Sequence, residues 1–239
     1  METLSGKLAA VTGGTRGIGR AIAERLLREG AAVAICGRTA GSVERAVAAM
    51  KPLGRVFGHA ADITRVEQVK GFFQAIDREF SGLDILVNNA GEGVFRKVAE
   101  MTPEEWHRNI DLNLNGAFYC SREALARFSK RGGGFIVNVS SLAGKNAFSG
   151  GAAYNASKAG LNLFSESLML DHRNDNVRVC SIMPGSVDTD FGGDSARRQD
   201  GISWMMAPED IAEAAALVLR MPPRTMISCI EMRPSKPRK

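Results

Sequence analysis

Tyr154 and Lys158 stand four residues apart, so on a helix their side chains share one face. A free tyrosine, with a pKa of about 10, is a poor proton donor or acceptor near neutrality. A nearby ammonium favours the tyrosinate and draws the group toward working pH. Each tenfold gain requires about 1.4 kcal/mol, which close charges in a dry site can supply. Isolated pairs at this spacing are usually ordinary surface or core residues. This pair opens a helix just after a Gly- and Ser-rich loop, which favours proton transfer to or from a substrate oxygen.

A second chemistry is written near the start. The apolar run Leu8 to Val11 leads straight into T-G-G-T-R-G-I-G, Thr12 to Gly19, and then into a helix. Glycines let the backbone turn tightly against a pyrophosphate, and a helix N-terminus offers free N–H groups and a positive dipole end. The spacing of Gly13, Gly17 and Gly19 differs from the commoner G-x-G-x-x-G. Such a turn alone is a weak signal, but its position at the first strand points to a dinucleotide.

An acid about 20 residues beyond such glycines would bind the ribose hydroxyls of NAD. Here the end of the second strand carries Gly37, Arg38 and Thr39. A carboxylate would repel a 2′-phosphate, whereas a guanidinium binds it through a forked pair of donors. Arg16 inside the turn can approach the same phosphate. Either arginine alone would pass for a surface charge; both, with the acid missing, point to NADP(H).

The elements that must position these groups alternate. Short apolar runs at Leu8 to Val11, Ala32 to Cys36, Val56 to Ala60, Ile85 to Val87, Phe135 to Val139, Val177 to Ile182 and Met226 to Met232 read as strands covered on both faces. Helices are expected over Arg20 to Glu29 with Gly30 as cap, Ala156 to Asp171, and Pro208 to Arg220. Thr64 with Glu67, and Thr102 with Pro103 and Glu105, read as capping boxes. The alternation predicts a doubly wound α/β fold, a Rossmann-type parallel sheet of about seven strands flanked by helices, in a single domain over residues 1–239. The polar segment Phe191 to Trp204 is expected to be a mobile loop.

Composition narrows the classes. An apolar share of 44% and a charged share of 24% belong to an ordinary globular protein. The four cysteines and three histidines are scattered without metal-ligand spacing, so no metal is expected. No apolar window is long enough to span a bilayer, and residues Met1 to Lys7 lack a secretory layout; a cytoplasmic protein without a membrane partner is expected. The net charge of +5 is concentrated at the C-terminal tail and at Arg197 and Arg198, without a basic and aromatic stripe, so nucleic acid is not expected as a partner.

Taken in order, the motifs resemble the short-chain dehydrogenase/reductase family over nearly the whole chain. Its T-G-x-x-x-G-x-G turn is matched by Thr12, Gly13, Gly17 and Gly19, and its N-N-A-G by Asn88, Asn89, Ala90 and Gly91. Its asparagine matches Asn113 in D-L-N-L-N-G, its V-S-S serine Ser141, its Y-x-x-x-K Tyr154 and Lys158, and its P-G-x-x-x-T Pro184, Gly185 and Thr189.

The resemblance implies hydride exchange between NADP(H) and a carbonyl or secondary alcohol, with Tyr154 as proton carrier. Ser141 then orients the substrate oxygen, Lys158 holds the nicotinamide ribose, and Asn113 keeps a water in line with Lys158. Without the resemblance, Asn113 would be a helix irregularity or a buried polar group. Cofactor contacts are expected from Gly13, Thr15, Arg16, Gly17, Ile18 and Gly19 in the turn, and from Arg38 and Thr39 beside it. Others are expected from Asp62, Ile63, Asn88, Ala90 and Gly91, and from Pro184, Gly185, Val187 and Thr189, with Tyr154 and Lys158; Asn89 is expected mainly to stabilise the sheet. Substrate is expected near Gly93, Val94, Leu142, Phe148, Ser186 and Phe191, and Glu92 reads either as a substrate contact or as a solvent-facing acid.

Two departures stand out. The ending E-M-R-P-S-K-P-R-K lacks the glycine-rich finish of many members, so dimer and tetramer both stay open, although a homo-oligomer through the helices near Asn115 to Lys130 and Ala156 to Asp171 is implied. The segment between Thr189 and Pro208 is short, implying a small lid. One alternative is reduction of 3-oxoacyl thioesters on coenzyme A or an acyl carrier protein, with Arg127, Lys130 and Arg131 as docking cluster. Another is a catalytically silent NADP-binding regulator or scaffold, which would have no need of Asn113, Ser141, Tyr154 and Lys158 together.

Overall fold

A computed structural model describes residues 1–191 and 204–237 of the chain. Strands β1 (Leu8–Thr12), β2 (Ala32–Gly37), β3 (Val56–Ala60), β4 (Ile85–Asn88), β5 (Gly134–Val139), β6 (Val177–Pro184) and β7 (Cys229–Met232) follow the expected apolar runs. They form one parallel sheet in the order β3-β2-β1-β4-β5-β6-β7. Five of five residues in β1 are buried, which explains why that strand reads as a continuous apolar run and not as an alternation.

The helices are α1 (Gly17–Arg28), α2 (Ala40–Met50), α3 (Val66–Glu79), α4 (Pro103–Ile110), α5 (Gly116–Arg131), α6 (Ala152–His172) and α7 (Pro208–Leu219). One side of the sheet is covered by α1, α2 and α7, with Ile22, Leu26, Met50, Ile211 and Val218 in its core. The other is covered by α3, α5 and α6, through Phe72, Phe73, Ile76, Phe128 and Leu168. Each fully buried large side chain contributes about 1.5–3 kcal/mol of apolar burial, and these two cores hold the strand ends still beneath the loops.

Several local expectations change. Helix α1 starts at Gly17, three residues earlier than Arg20, and α6 starts at Ala152, four before Ala156. Gly30 does close α1, with φ +85° and its N–H donating to the Leu27 carbonyl. Thr102 and Glu105 form the reciprocal capping box. Thr64 and Glu67 do not: α3 begins after Arg65. The Asp62 carboxylate takes both the Thr64 N–H (3.0 Å) and hydroxyl (2.8 Å), an acceptor nearer in sequence that diverts the cap. Glu67 pairs instead with Lys70 at 2.8 Å.

Cys36, Cys120 and Cys180 are buried and Cys229 is exposed; burial pushes the Cys36 and Cys180 thiols up to about 12, so both remain neutral. Among the described residues no helix is long and apolar enough to cross a membrane, and no cluster of His, Cys, Asp or Glu could hold a metal ion. The segment Phe191 to Trp204, expected to be a loop, lies almost wholly outside the described residues.

Candidate active site

The sheet order reverses between β1 and β4, and this switch point opens a crevice at the strand C-termini. Its two rims are stapled together. Thr12 Oγ1 accepts the N–H groups of Asn89 (3.0 Å) and Ala90 (3.1 Å). In return Asn89 Nδ2 donates to the carbonyls of Thr12 (3.0 Å) and Gly13 (3.2 Å). Gly13 has φ +63°, and a Cβ there would stand 2.9 Å from Ala90 Cα, so backbone alone fits. Gly19 faces the staple from α1, where a Cβ would stand 2.2 Å from Asn89 Nδ2 and 2.4 Å from the Gly13 carbonyl. Gly19→Ala is therefore expected to lower stability by about 1–3 kcal/mol; an unchanged thermal midpoint would show that the staple yields freely.

Arg16 precedes α1 in extended conformation, and no side-chain cap serves the helix start among the described residues. The first-turn amides are thus available to an anion lying across the glycines. Beside them lie Gly37, Arg38 and Thr39 at the end of β2. Arg38 is exposed and makes no hydrogen bond or ion pair among the described residues. Arg16 has Asp190 3.7 Å away, with both side chains largely exposed, a pairing worth little. A Cβ on Gly37 would come within 2.8 Å of Thr15 Cγ2, so an acidic side chain is sterically crowded there as well as absent.

The other end of the cleft, which encloses about 900 Å³, holds Ser141, Tyr154 and Lys158. All three are at least nine-tenths buried. Tyr154 lies in the first turn of α6 and Lys158 one turn on, with Nζ 5.9 Å from the tyrosine ring centroid. Lys158 Nζ donates to the Val139 carbonyl at 2.9 Å. Burial pushes this ammonium down to about 8. Burial also holds the Tyr154 phenol above its ordinary value, opposed by a hydrogen bond with Ser141. This direction is opposite to the lowering expected from Lys158, because desolvation of the phenolate outweighs the Ser141 hydrogen bond. Ser141 Oγ itself lies 3.4 Å from the Pro184 carbonyl and accepts the Ala143 N–H at 3.1 Å.

Asn113 sits in a π-helical turn, Asp111–Asn115, between α4 and α5. Such turns are rare and concentrate at functional sites. Its amide is fully engaged: Oδ1 accepts the Glu92 N–H (2.9 Å), and Nδ2 donates to the Glu92 carbonyl (2.9 Å) and Ser157 Oγ (3.0 Å). It stands behind Gly91, where a Cβ would be 2.9 Å from Asn113 Oδ1 and 3.6 Å from Lys158 Nζ. The side chain thus fixes the backbone that borders Lys158.

Of the expected cofactor contacts, Thr15, Ile18, Ile63, Ala90 and Gly91 face the cleft. So do Pro184, Gly185, Val187 and Thr189 on the opposite rim. Asp62 does not line it, its carboxylate being bound to Thr64. Asn88 does not either: it turns into the core, where Nδ2 donates to Asn138 Oδ1 (2.8 Å) and Ser121 Oγ (3.0 Å). The pleat reverses at each residue, so Asn89, which ties β1 to β4 as expected through Thr12 and Gly13, also lines the cleft.

In the expected substrate set, Leu142, Phe148, Ser186 and Phe191 line the cleft, while Gly93 and Val94 do not. Glu92 lines it but is bound to Arg108 through two hydrogen bonds of 3.0 and 3.1 Å. Phe95, which was not anticipated, contacts Tyr154 edge-on at 5.6 Å; a lone phenylalanine in a loop carries no periodic signal.

The proposed docking cluster is also changed. Arg127 is held by Asp77 (2.6 Å) and Glu123 (2.9 Å), and Arg131 by Asp84 (3.0 Å), leaving little free charge for an acidic carrier.

Comparison with known proteins agrees with this architecture. The family model described as short chain dehydrogenase matches residues 7–200. An uncharacterized oxidoreductase of Staphylococcus aureus is 32% identical over 234 residues, spanning 98% of this chain and all of that protein. An alcohol dehydrogenase from the archaeon Thermococcus sibiricus, solved with 5-hydroxy-NADP, superposes with a TM-score of 0.90 at 29% identity, covering 98% of both chains. A metagenomic short-chain oxidoreductase in complex with NADP gives 0.85 at 33% identity, covering 99% of this chain and 100% of that one.

Proposed function

From the premise that this chain belongs to the short-chain dehydrogenase/reductase family of oxidoreductases, we propose that it is an NADP(H)-dependent carbonyl reductase acting as one catalytic unit over residues 1–239. The observation that carries the reading is one cleft with a glycine cradle and Arg38 at one end and Ser141, Tyr154 and Lys158 at the other. The crowded space at Gly13 and the open amides of α1 suit a pyrophosphate. Gly13, Thr15, Arg16, Gly17 and Ile18 hold it, and Arg38 and Thr39 hold the 2′-phosphate.

When bound, the reduced nicotinamide supplies the hydride to the carbonyl carbon. The chain supplies everything else. Tyr154 gives its hydroxyl proton to the carbonyl oxygen as that oxygen gains charge. Ser141 donates a hydrogen bond to the same oxygen and fixes its position. Lys158, a cation below about pH 8, offsets the charge left on Tyr154 and holds the nicotinamide ribose. Asn113 secures the Glu92 backbone beside Lys158, the position from which a water relays a proton from solvent. The raised phenol keeps Tyr154 protonated at neutral pH, the form required for reduction.

Exposed Phe118 on α5 and Leu163 and Leu170 on α6 support self-association through these helices as a dimer or tetramer. The ion-paired Arg127 and Arg131 favour a small carbonyl compound over a carrier-bound thioester.

Cofactor choice is tested by Arg38→Glu, at an exposed side chain that makes no hydrogen bond or ion pair among the described residues. The new carboxylate repels a 2′-phosphate, so kcat/KM for NADPH should fall by at least about tenfold, the equivalent of about 1.4 kcal/mol, while NADH is spared. A variant that keeps the wild-type NADPH preference would remove the assignment of this corner to the phosphate.

A further inference from the structure

Three phenylalanines form an arc beside the buried Tyr154, each from a different connection: Phe95 between β4 and α4, Phe148 between β5 and α6, and Phe191 after β6. Phe95 meets the Tyr154 ring edge-on at 5.6 Å and 82°, and Phe191 meets it tilted at 5.5 Å. Phe148 continues the arc against Phe95 at 5.6 Å. None belongs to either core cluster, and they are 39%, 45% and 43% exposed. One exposed phenylalanine needs no explanation. Two meeting a single phenol, with a third packed against one of them, make an apolar patch of the kind that marks a binding surface.

The outer edges of two of the rings lie close over glycines. A Cβ on Gly93 would stand 2.5 Å from Phe95 Cζ, and one on Gly151 2.7 Å from Phe148 Cε2. Glycine at both positions therefore lets the two rings lie against the backbone, and of the three phenylalanines Phe148 and Phe191 line the cleft. Such preorganised rings bind at low entropic cost. They favour another π-system at centroid distances of about 4.5–7 Å, offset or edge-on.

Resting on the reductase reading above, we propose that the substrate is an aryl ketone or aldehyde whose ring completes this aromatic arc. With the ring held there, the carbonyl attached to it falls beside the Tyr154 hydroxyl. The carbonyl carbon accepts hydride from the reduced dinucleotide, its oxygen takes the Tyr154 proton, and the products are the aryl carbinol and the oxidised dinucleotide. A flexible alkanone of equal carbon number gains the apolar contact but not the ring-to-ring term.

The test is calorimetric binding of acetophenone and octan-2-one, both of eight carbons, to the full-length protein alone and with NADP+. Acetophenone should bind about 2- to 10-fold more tightly. Phe148→Leu and Phe191→Leu, which keep apolar bulk but remove the π-face, should bring the two ketones to equal affinity while NADP+ affinity stays unchanged. Equal affinities in the wild-type protein, tighter octan-2-one, no measurable acetophenone binding, or a preference that survives both leucine variants would overturn the proposal. The reductase reading fails separately: NADPH oxidation on any carbonyl that survives loss of the Tyr154 hydroxyl counts against it whichever ketone binds better.

Discussion

Tyr154→Phe should reduce carbonyl turnover by about 10²- to 10⁴-fold, the usual range for a positioned acid or base, and leave NADPH binding intact. The substitution removes one oxygen and keeps a ring that still contacts Phe95 and Phe191. The glycine cradle and Arg38 lie at the other end of the cleft and lose nothing. The stability change should stay near 1 kcal/mol, for the one hydrogen bond with Ser141. Steady-state rates beside a fluorescence titration of NADPH separate the two effects. A variant with full activity would refute the assignment of the proton to Tyr154.

At pH 7, Lys158→Met should abolish most turnover and yet leave the melting temperature unchanged or raised. The ammonium is 4% exposed, its described hydrogen bond goes to the Val139 carbonyl, and burial pushes its pKa from 10.5 down to about 8. Holding the charged form in the fold costs on the order of 3 kcal/mol below that pH. Methionine removes this penalty and forfeits one charge-assisted hydrogen bond of about 1.5–3 kcal/mol, as when a buried charge gives way to an apolar side chain of similar shape. The net gain of roughly 0–1.5 kcal/mol corresponds to an upward shift of at most about 6 °C in a chain of this size.

The pH dependence has a fixed sign. Between about 8 and 10.5 the folded lysine has lost its proton and the unfolded one has not. The unfolded state then binds more protons, so wild-type stability rises with pH through this window. The variant's advantage is therefore largest below about pH 8 and fades toward 10.5. Thermal melts of both proteins across this range are the check, and a lower midpoint for the methionine variant at pH 7 would mean that the charge stabilises the fold.

How far the chain could be read from its residues follows from what sets each feature. The strands were legible because burial on both faces makes them nearly unbroken apolar runs, as at Leu8 to Val11. The glycine turn and the Tyr154–Lys158 pair were legible because close backbone approach and a shared helix face both impose fixed spacings. Helix α2 was missed: Val43, Ala46 and Met50 are its buried residues, a stripe too sparse to stand out between polar neighbours. That Asn88 turns into the core and Asn89 borders the cleft depends on where the pleat stands at the last residue of β4, and either phase fits the sequence. The π turn that sets Asn113 leaves no periodic mark in five residues. The Thr64 cap was lost to a competing acceptor, Asp62, two positions away. The aromatic arc arises from three connections that meet only in the fold, so no local pattern announces it.

The most direct test is the stoichiometry of NADPH oxidation against alcohol formed, with NADH in parallel. Aryl ketones, alkanones, aldehydes, a diketone and an acetoacetyl thioester would serve as substrates. The account predicts alcohol formed one for one with NADPH consumed on at least one carbonyl, and faster than with NADH. Tight NADPH binding with no carbonyl reduced would contradict it, and faster turnover with NADH would overturn the role given to Gly37 and Arg38.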